Sequence, residues 1–388
     1  MTKSLKTKIG ILASCFCAMS FIAFSPIVYA VSESFPEYTL SMVQMMVTLP
    51  SLMFILFSPL SGVLMRYVPK KTLAICSVAM YFVSGMFSFT FHNSLILILV
   101  GSAIMGCGTG VLMPVINALI CDNFEGNDRG AVMGLNSTFV AIGGLTFTFI
   151  SGQLASIDWK YSFLVFLLII PILIIMAVFL PKSEKTEKGI EKVKKEKVKL
   201  HFNSYLIVLF VVGFVYFCLQ NAYNTNASVY VDELNAGGTA LSGIVTMMNP
   251  LGGIIGGILF GFLLSKSKDQ IESVALLLAG AGFVFAGIVN SIPSVMIAGI
   301  LIGAAYALFN AGGTYLLAKN LNSDENEILV SIYMAIVNLG AAVSPYIVNS
   351  LSGVFGEGTT VKYLFAGIFI LVLTVISVIA GLSKAKNQ

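Results

Sequence analysis

Long apolar runs separated by short polar turns fill almost the whole chain. A bilayer core takes roughly 20 apolar residues per helix. The runs predict six spans, near 9–31, 40–64, 72–91, 95–120, 130–156 and 162–181. Six more follow near 202–230, 239–264, 272–291, 294–318, 328–352 and 361–383. Between the two sets lies Lys182–Leu200, KSEKTEKGIEKVKKEKVKL, with eight lysines and four glutamates. Lysines at that density repel one another and cannot bury a core, so the segment reads as a solvated linker, partly helical at most. A second reading has it contact anionic lipid headgroups. The pattern predicts an all-α polytopic membrane protein: a six-helix bundle over 1–181, a basic linker over 182–201 and a second six-helix bundle over 202–388.

Composition agrees, since 57% of the 388 residues are hydrophobic and the mean hydropathy of +0.94 excludes a soluble fold. The formal net charge of +4 does not point to nucleic acid, because the positive charge lies in loops beside the spans. With both termini inside, twenty of the 22 Lys and Arg residues face the cytoplasm and only Lys160 and Lys362 face out. Cytoplasmic termini in a plasma membrane are therefore expected. The six cysteines lie in or beside apolar runs and form no CxxC pair, so they read as small buried hydrophobes rather than metal ligands or disulfides. Lys3, Lys6 and Lys8 before an apolar run ending Val28-Tyr29-Ala30 also fit a cleavable signal peptide. That run is long for a signal core, and its removal would leave eleven spans, so a retained first helix is expected.

The halves resemble each other weakly. At an offset of 197, Gly106 falls on Gly303, Asn123 on Asn320, Gly143 on Gly340 and Leu154 on Leu351. VTLP at Val47–Pro50 faces MMNP at Met247–Pro250. Six spans, a linker and six spans then suggest two parallel repeats around an axis along the membrane normal.

The chain resembles the major facilitator superfamily over essentially its whole length. That family's loop between spans two and three reads G-x-L-x-D-R-x-G-R-R, and here Gly62-Val63-Leu64-Met65-Arg66-Tyr67-Val68-Pro69-Lys70-Lys71 stands in its place. Gly62, Leu64 and the basic pair Lys70-Lys71 match; Arg66 occupies the acidic position, so a latch built on that acid must differ. Asp158-Trp159-Lys160-Tyr161-Ser162-Phe163 is similar to the family's D-W-R-W-x-F before span six. The run Gly106–Gly110 is similar to its glycine-rich stretch, with Ser102 where an arginine is common. The proline of its antiporter motif is absent beside Gly143-Gly144, so the efflux subtype is not indicated.

No Asp, Glu, Lys, Arg or His falls in the middle of any predicted span. Charge at membrane depth is costly and usually functional. A buried cation for an anionic solute, or a buried carboxylate for a cationic one, is thus not expected. Coupling to protons or another ion would have to use an edge carboxylate such as Glu33 or Asp122; Glu37 and Glu272 also lie near span ends. Neutral polar groups remain for recognition. Tyr216, Gln220, Tyr223 and Asn224 recur at i, i+4, i+7 and i+8 on one face of span seven, with Asn221 one step round. Such a stripe faces either a water-filled cavity or another helix. The resemblance implies that spans one, four, seven and ten line a central cavity, which adds Tyr29, Asn117, Tyr306 and Asn310 as wall residues. Asn136, Asn249 and Asn338 read as packing or rim groups.

Nothing points to a nucleotide loop, a catalytic signature, a cofactor or a metal site. The reading is a secondary transporter or facilitator, not an enzyme, working by alternating access on a small uncharged, zwitterionic or amphipathic solute. A membrane-embedded sensor or enzyme on the same bundle is the alternative. The expected partners are that solute, membrane lipids and a coupling ion, with no nucleic acid, and the chain is expected to act as a monomer.

Overall fold

The computed structural model describes residues 3–181, 204–267, 270–320 and 323–386. The basic linker falls outside these. Among the described residues there is no strand, and twelve helices are long and apolar enough to cross a membrane. The first six are Leu5–Ser34, Leu40–Tyr67, Lys70–Thr90, Leu95–Asn123, Ala131–Ala155 and Trp159–Phe179. The second six are Leu206–Glu233, Thr239–Ser267, Ile271–Val289, Ile292–Gly313, Leu329–Ser352 and Thr359–Ile379. They are numbered spans one to twelve below. The chain is an integral, multi-pass, all-α membrane protein.

Local chemistry sets the span ends. Thr39 caps span two by accepting a hydrogen bond from the Met42 amide at 3.4 Å. Pro69 forces Val68 into extended backbone and so closes the same span. Asn290 ends span nine in the left-handed region, at φ 47°.

Three spans depart from the continuous helices that the apolar pattern implies. Span one is an α-helix to Cys17, a 3₁₀ stretch over Ser20–Ile27 and an α-helix again over Val28–Ser34. A 3₁₀ turn needs each amide to reach the carbonyl three residues back, and Pro26 has no amide to give Ala23. Ser151 of span five takes that place, its hydroxyl donating to the Ala23 carbonyl at 2.6 Å. Span six opens as 3₁₀ over Trp159–Leu168, and span seven runs as two helical stretches, Ser204–Gln220 and Ala222–Glu233, on either side of Asn221. Just before Asn221, Ser344 of span eleven donates to the Cys218 carbonyl at 2.6 Å.

The chain forms two compact units, Met1–Gly189 with Ala227–Met247, and Ile190–Asn226 with Met248–Gln388. This grouping differs from a division at the linker only in placing Ala227–Met247 with the first unit. There, Gly152 lies against Gly243, where an added Cβ would come within 2.5 Å of the Gly243 Cα, and Gln153 Nε2 donates to the Ala240 carbonyl at 3.4 Å. The first unit's core holds an aromatic cluster in which Phe24 meets Phe163 and Phe166, each at 5.7 Å between centroids. Phe147 stacks on Phe166 at 5.9 Å.

The internal repeat has a physical counterpart within each unit. In the first, Gly106 of span four lies on Pro50 of span two, where an added Cβ would be 2.6 Å from the Pro50 Cα. In the second, Gly303 of span ten lies on Asn249 of span eight, where a Cβ would be 1.9 Å from the Asn249 carbonyl oxygen. Gly143 likewise backs onto Phe16 of span one, and Gly340 onto Phe214 of span seven. Without a side chain at these points, backbones approach closely enough for van der Waals contact to hold helices together in lipid.

Candidate functional site

Span seven of the second unit carries the densest buried polar sequence, Gln220-Asn221-Ala222-Tyr223-Asn224-Thr225-Asn226. Asn221 lies inside it, between the two helical stretches, yet its amide donates to the Phe217 carbonyl and its own carbonyl accepts from the Thr225 amide, both at 3.2 Å, so helical register carries through the stripe. Asn221 is committed to a neighbouring helix: its Nδ2 donates to the Ala341 carbonyl of span eleven at 3.1 Å. Its Oδ1 accepts from Asn224 Nδ2 at 3.3 Å. Tyr223 is also committed, its hydroxyl donating to the Val295 carbonyl of span ten at 3.2 Å. Asn224 keeps its Oδ1 buried with no hydrogen-bond partner among the described residues. Gln220 is buried too.

One turn and more toward the start of the span, Tyr216 is fully buried with its ring 4.3 Å from that of Phe309. Its hydroxyl has no partner among the described residues. Tyr306 is half-buried and packs on Phe217 at 5.4 Å, and Asn310 is half-buried on the same span. The structure adds residues outside the sequence-derived set. Asn249 of span eight is buried, and its Nδ2 has no partner among the described residues. Asn226 receives the Lys362 ammonium on its Oδ1 at 3.1 Å. The MMNP repeat marked Asn249's neighbourhood; Lys362 carried no signal, because its position at the start of span twelve looks like an ordinary boundary charge. Buried groups that lack partners cost free energy unless something pairs with them. Here those groups are neutral amide and phenol atoms, suited to hydrogen bonds with a polar, uncharged part of a ligand.

The remaining sequence-derived residues lie in the first unit. Tyr29 is half-buried; its amide donates to Ser228 Oγ at 3.3 Å, and its phenol meets the Asp232 carboxylate, with Glu33 close by. Glu33 itself is exposed, as is Asn117. Asp122 is half-exposed and ion-paired with Lys70, which brings one proposed coupling acid onto the loop between spans two and three. Beside it, Lys71 Nζ closes span six by donating to the carbonyls of Ala177 and Leu180 at 2.6 and 2.8 Å. Arg129 closes span four in the same way, Nε donating to Phe124 and Nη2 to Cys121, both at 3.0 Å. Arg66 is exposed, and open space surrounds Gly62. Among the described residues, the buried acid is Glu272, at the start of span nine in the second unit against Gly312, with an Oε1 that has no partner there.

Opposite the loop between spans two and three, Asp158 opens span six. Its Oδ1 accepts from the Lys160 amide at 3.2 Å and its Oδ2 pairs with Lys160 Nζ at 2.8 Å. The ammonium holds the Asp158 carboxyl below the usual carboxylate range. Among the described residues, no group of His, Cys, Asp or Glu is placed to hold a metal ion.

The same architecture occurs in solved transporters. The fold matches a crystal structure of the nucleoside transporter NupG with a TM-score of 0.75 at 9% identity, over 98% of this chain and 99% of that one. It matches a POT family transporter in complex with a thioalcohol-conjugated peptide with a TM-score of 0.77 at 13% identity, over 96% and 95%. A third match, the POT family transporter PepTSo, has a TM-score of 0.74 at 12% identity and covers both chains fully. At these identities the likeness is one of fold. At the level of sequence, residues 10–271 match the family model of the Major Facilitator Superfamily. With that match spanning more than half its length, and with the twelve-span architecture carrying through to the end, the chain belongs to the Major Facilitator Superfamily.

Proposed function

We propose that this protein is a secondary transporter or facilitator that moves a small uncharged, zwitterionic or amphipathic solute by alternating access. It works as two six-span bundles joined by a cytoplasmic basic linker over 182–201. The observation that carries the reading is the set of buried, unmatched neutral polar atoms in the second unit, Asn224 Oδ1 and Tyr216 Oη foremost. The lack of any charged residue in the middle of a span supports it, because a carrier for a fully charged solute would need a compensating buried charge. The fold neighbours include a nucleoside transporter and a POT family transporter in complex with a thioalcohol-conjugated peptide, and nucleosides and short peptides are polar molecules of modest size. Gln220 and Asn224 are proposed to bind the solute, with Tyr216, Tyr306 and Asn310 alongside in the second unit; within the first unit, Tyr29 and Asn117 are the proposed wall residues. Asn221 is proposed to position Asn224 through their mutual hydrogen bond. If transport is coupled to protons, Glu33, Asp122 and the buried Glu272 are the carboxyls available to carry them.

Purified protein screened against neutral and zwitterionic solutes by thermal shift identifies a ligand, and two variants then test the site. Losing one hydrogen bond to a neutral group costs about 0.5–1.5 kcal/mol, more when a partner is left buried and unpaired. At about 1.4 kcal/mol per tenfold, Gln220→Ala or Asn224→Ala should weaken binding roughly threefold to thirtyfold, with the melting temperature nearly unchanged for Gln220→Ala and somewhat lowered for Asn224→Ala, which leaves Asn221 Oδ1 without its Asn224 donor. A lowered melting temperature with unchanged affinity would remove both residues from the site.

A further inference from the structure

Successive spans run in opposite directions, so the starts of spans one, three and five share one side of the first unit with the ends of spans two, four and six. Lys6 and Lys8 lie at the start of span one, Arg66 at the end of span two, Lys70 and Lys71 at the start of span three, and Arg129 just before span five. Side-chain contacts draw several of these together. Lys70 pairs with Asp122 at the end of span four. Arg129 donates to the Cys121 and Phe124 carbonyls of the same helix end, and Lys8 Nζ stands 5.9 Å from the centre of the Phe124 ring. Cations from three different spans thus converge on the last residues of a fourth.

Among the described residues, one of their partners, Asp122, carries a charge. Carbonyls and a ring face satisfy hydrogen-bond geometry but leave the cations uncompensated. Glu125 and Asp128, exposed on the adjoining turn, reduce the excess without cancelling it. The opposite side of spans one to six has the reverse balance, with Glu33, Glu37 and Asp158 against Lys160. These cations sit at span ends, the depth at which phospholipid headgroups lie, and a phosphodiester is the anion a leaflet presents there.

We propose that this end of the first unit is a binding site for the phosphate of an anionic phospholipid. Lys8, Lys70 and Arg129 hold it over the end of span four, and Arg66 and Lys6 are the exposed cations beside them. Arg129 keeps Nη1 beyond the two nitrogens that close span four, and an arginine fork suits a phosphate oxygen. Lys70 can share its protons between Asp122 and the phosphate. The site is independent of which solute the protein moves.

The test reconstitutes the full chain in phosphatidylcholine alone or mixed with phosphatidylglycerol. Lipid retained after extraction is quantified by mass spectrometry, and melting temperatures are measured alongside. Phosphatidylglycerol should be enriched over its share of the bilayer and should raise the melting temperature. Each headgroup-facing cation is worth roughly fivefold in anionic-lipid affinity. Lys8→Gln and Arg66→Gln should therefore each lower the enrichment by that factor, with melting in pure phosphatidylcholine unchanged for the exposed Arg66→Gln. Lys160→Gln, at the opposite end, should leave it alone. Equal retention of the two lipids, enrichment that survives both substitutions, or a fall that Lys160→Gln reproduces would each overturn the proposal. Inorganic phosphate giving the full stabilisation in phosphatidylcholine would also overturn it, since the site would then serve a free anion.

Discussion

Asn221 and Asn224 are the same residue type three positions apart, buried to 9% and 8% exposure, yet they differ in what they leave open. Asn221 spends its donor on the Ala341 carbonyl and its acceptor on Asn224, whereas Asn224 keeps one oxygen unmatched. A polar side chain at membrane depth can be interhelical glue or a ligand group, and only its partner list separates the two. Asp158 shows the same economy outside the membrane, serving as both helix cap and ion-pair partner of Lys160. Its carboxyl is held low, so the pair's contribution is present above the unfolded value of about 3.9 and is lost as pH falls through the lower folded value. Asp158→Asn keeps a capping oxygen but no charge, and should flatten the fall of melting temperature on acidification. Asp158→Ala should in addition lower the melting temperature at neutral pH, by the loss of a cap worth about 1 kcal/mol. Thermal melts of the two variants across acidic and neutral pH check both; a wild-type acid slope retained in Asp158→Asn would refute the pairing role.

At the scale of elements, apolar runs located all twelve spans because burying each backbone inside its own helix is the one solution lipid permits for a lone segment. Runs of hydrophobicity say nothing about where that helix tightens or breaks. Pro26 was visible in the sequence, but the hydroxyl that makes its 3₁₀ stretch tolerable, Ser151, comes from a distant span. The glycine repeat was likewise visible as a spacing, and its meaning emerged as two equivalent crossings, Gly106 on Pro50 and Gly303 on Asn249. Neighbouring glycines make a direct comparison: Gly303 has no room for a Cβ, while Gly257 of span eight faces open space. Gly303→Val and Gly106→Val should each destabilise by about 1–3 kcal/mol or more through overpacking, and Gly257→Ala should be neutral or slightly stabilising. Melting temperatures of the three variants in detergent decide; comparable melting of Gly303→Val and Gly257→Ala would refute the close crossing.

For the whole molecule, the distribution of basic residues argues for one orientation, with both termini and residues 182–201 in the cytoplasm. Single cysteines introduced on a cysteine-free background and labelled from outside should react near Glu37 and Lys160 and stay unlabelled near Arg66, Arg129 and the linker. Outside labelling of the linker would invert every span and with it the leaflet that faces the Lys8–Lys70–Arg129 cluster. Ala227–Met247 groups with spans one to six in the first unit, and a glycine-on-glycine approach and two hydrogen bonds are among the contacts that tie it there. No linear pattern encodes it, because each contact depends on a partner far away in the chain.

The sequence by itself determined the class, the number of spans, the order of six spans, polar segment and six spans, and the absence of charge from the middle of the spans. These follow from the cost of exposing backbone and charge to hydrocarbon, a cost that acts residue by residue and can be summed along a line. Tertiary structure decided which polar side chains are consumed by neighbouring helices, where helices tighten, and which cations meet. Asn221 reaches Ala341, Tyr223 reaches Val295 and Lys70 reaches Asp122 across 120, 72 and 52 residues of chain. Such pairings depend on which surfaces pack together, and short-range hydrophobicity carries no record of that choice.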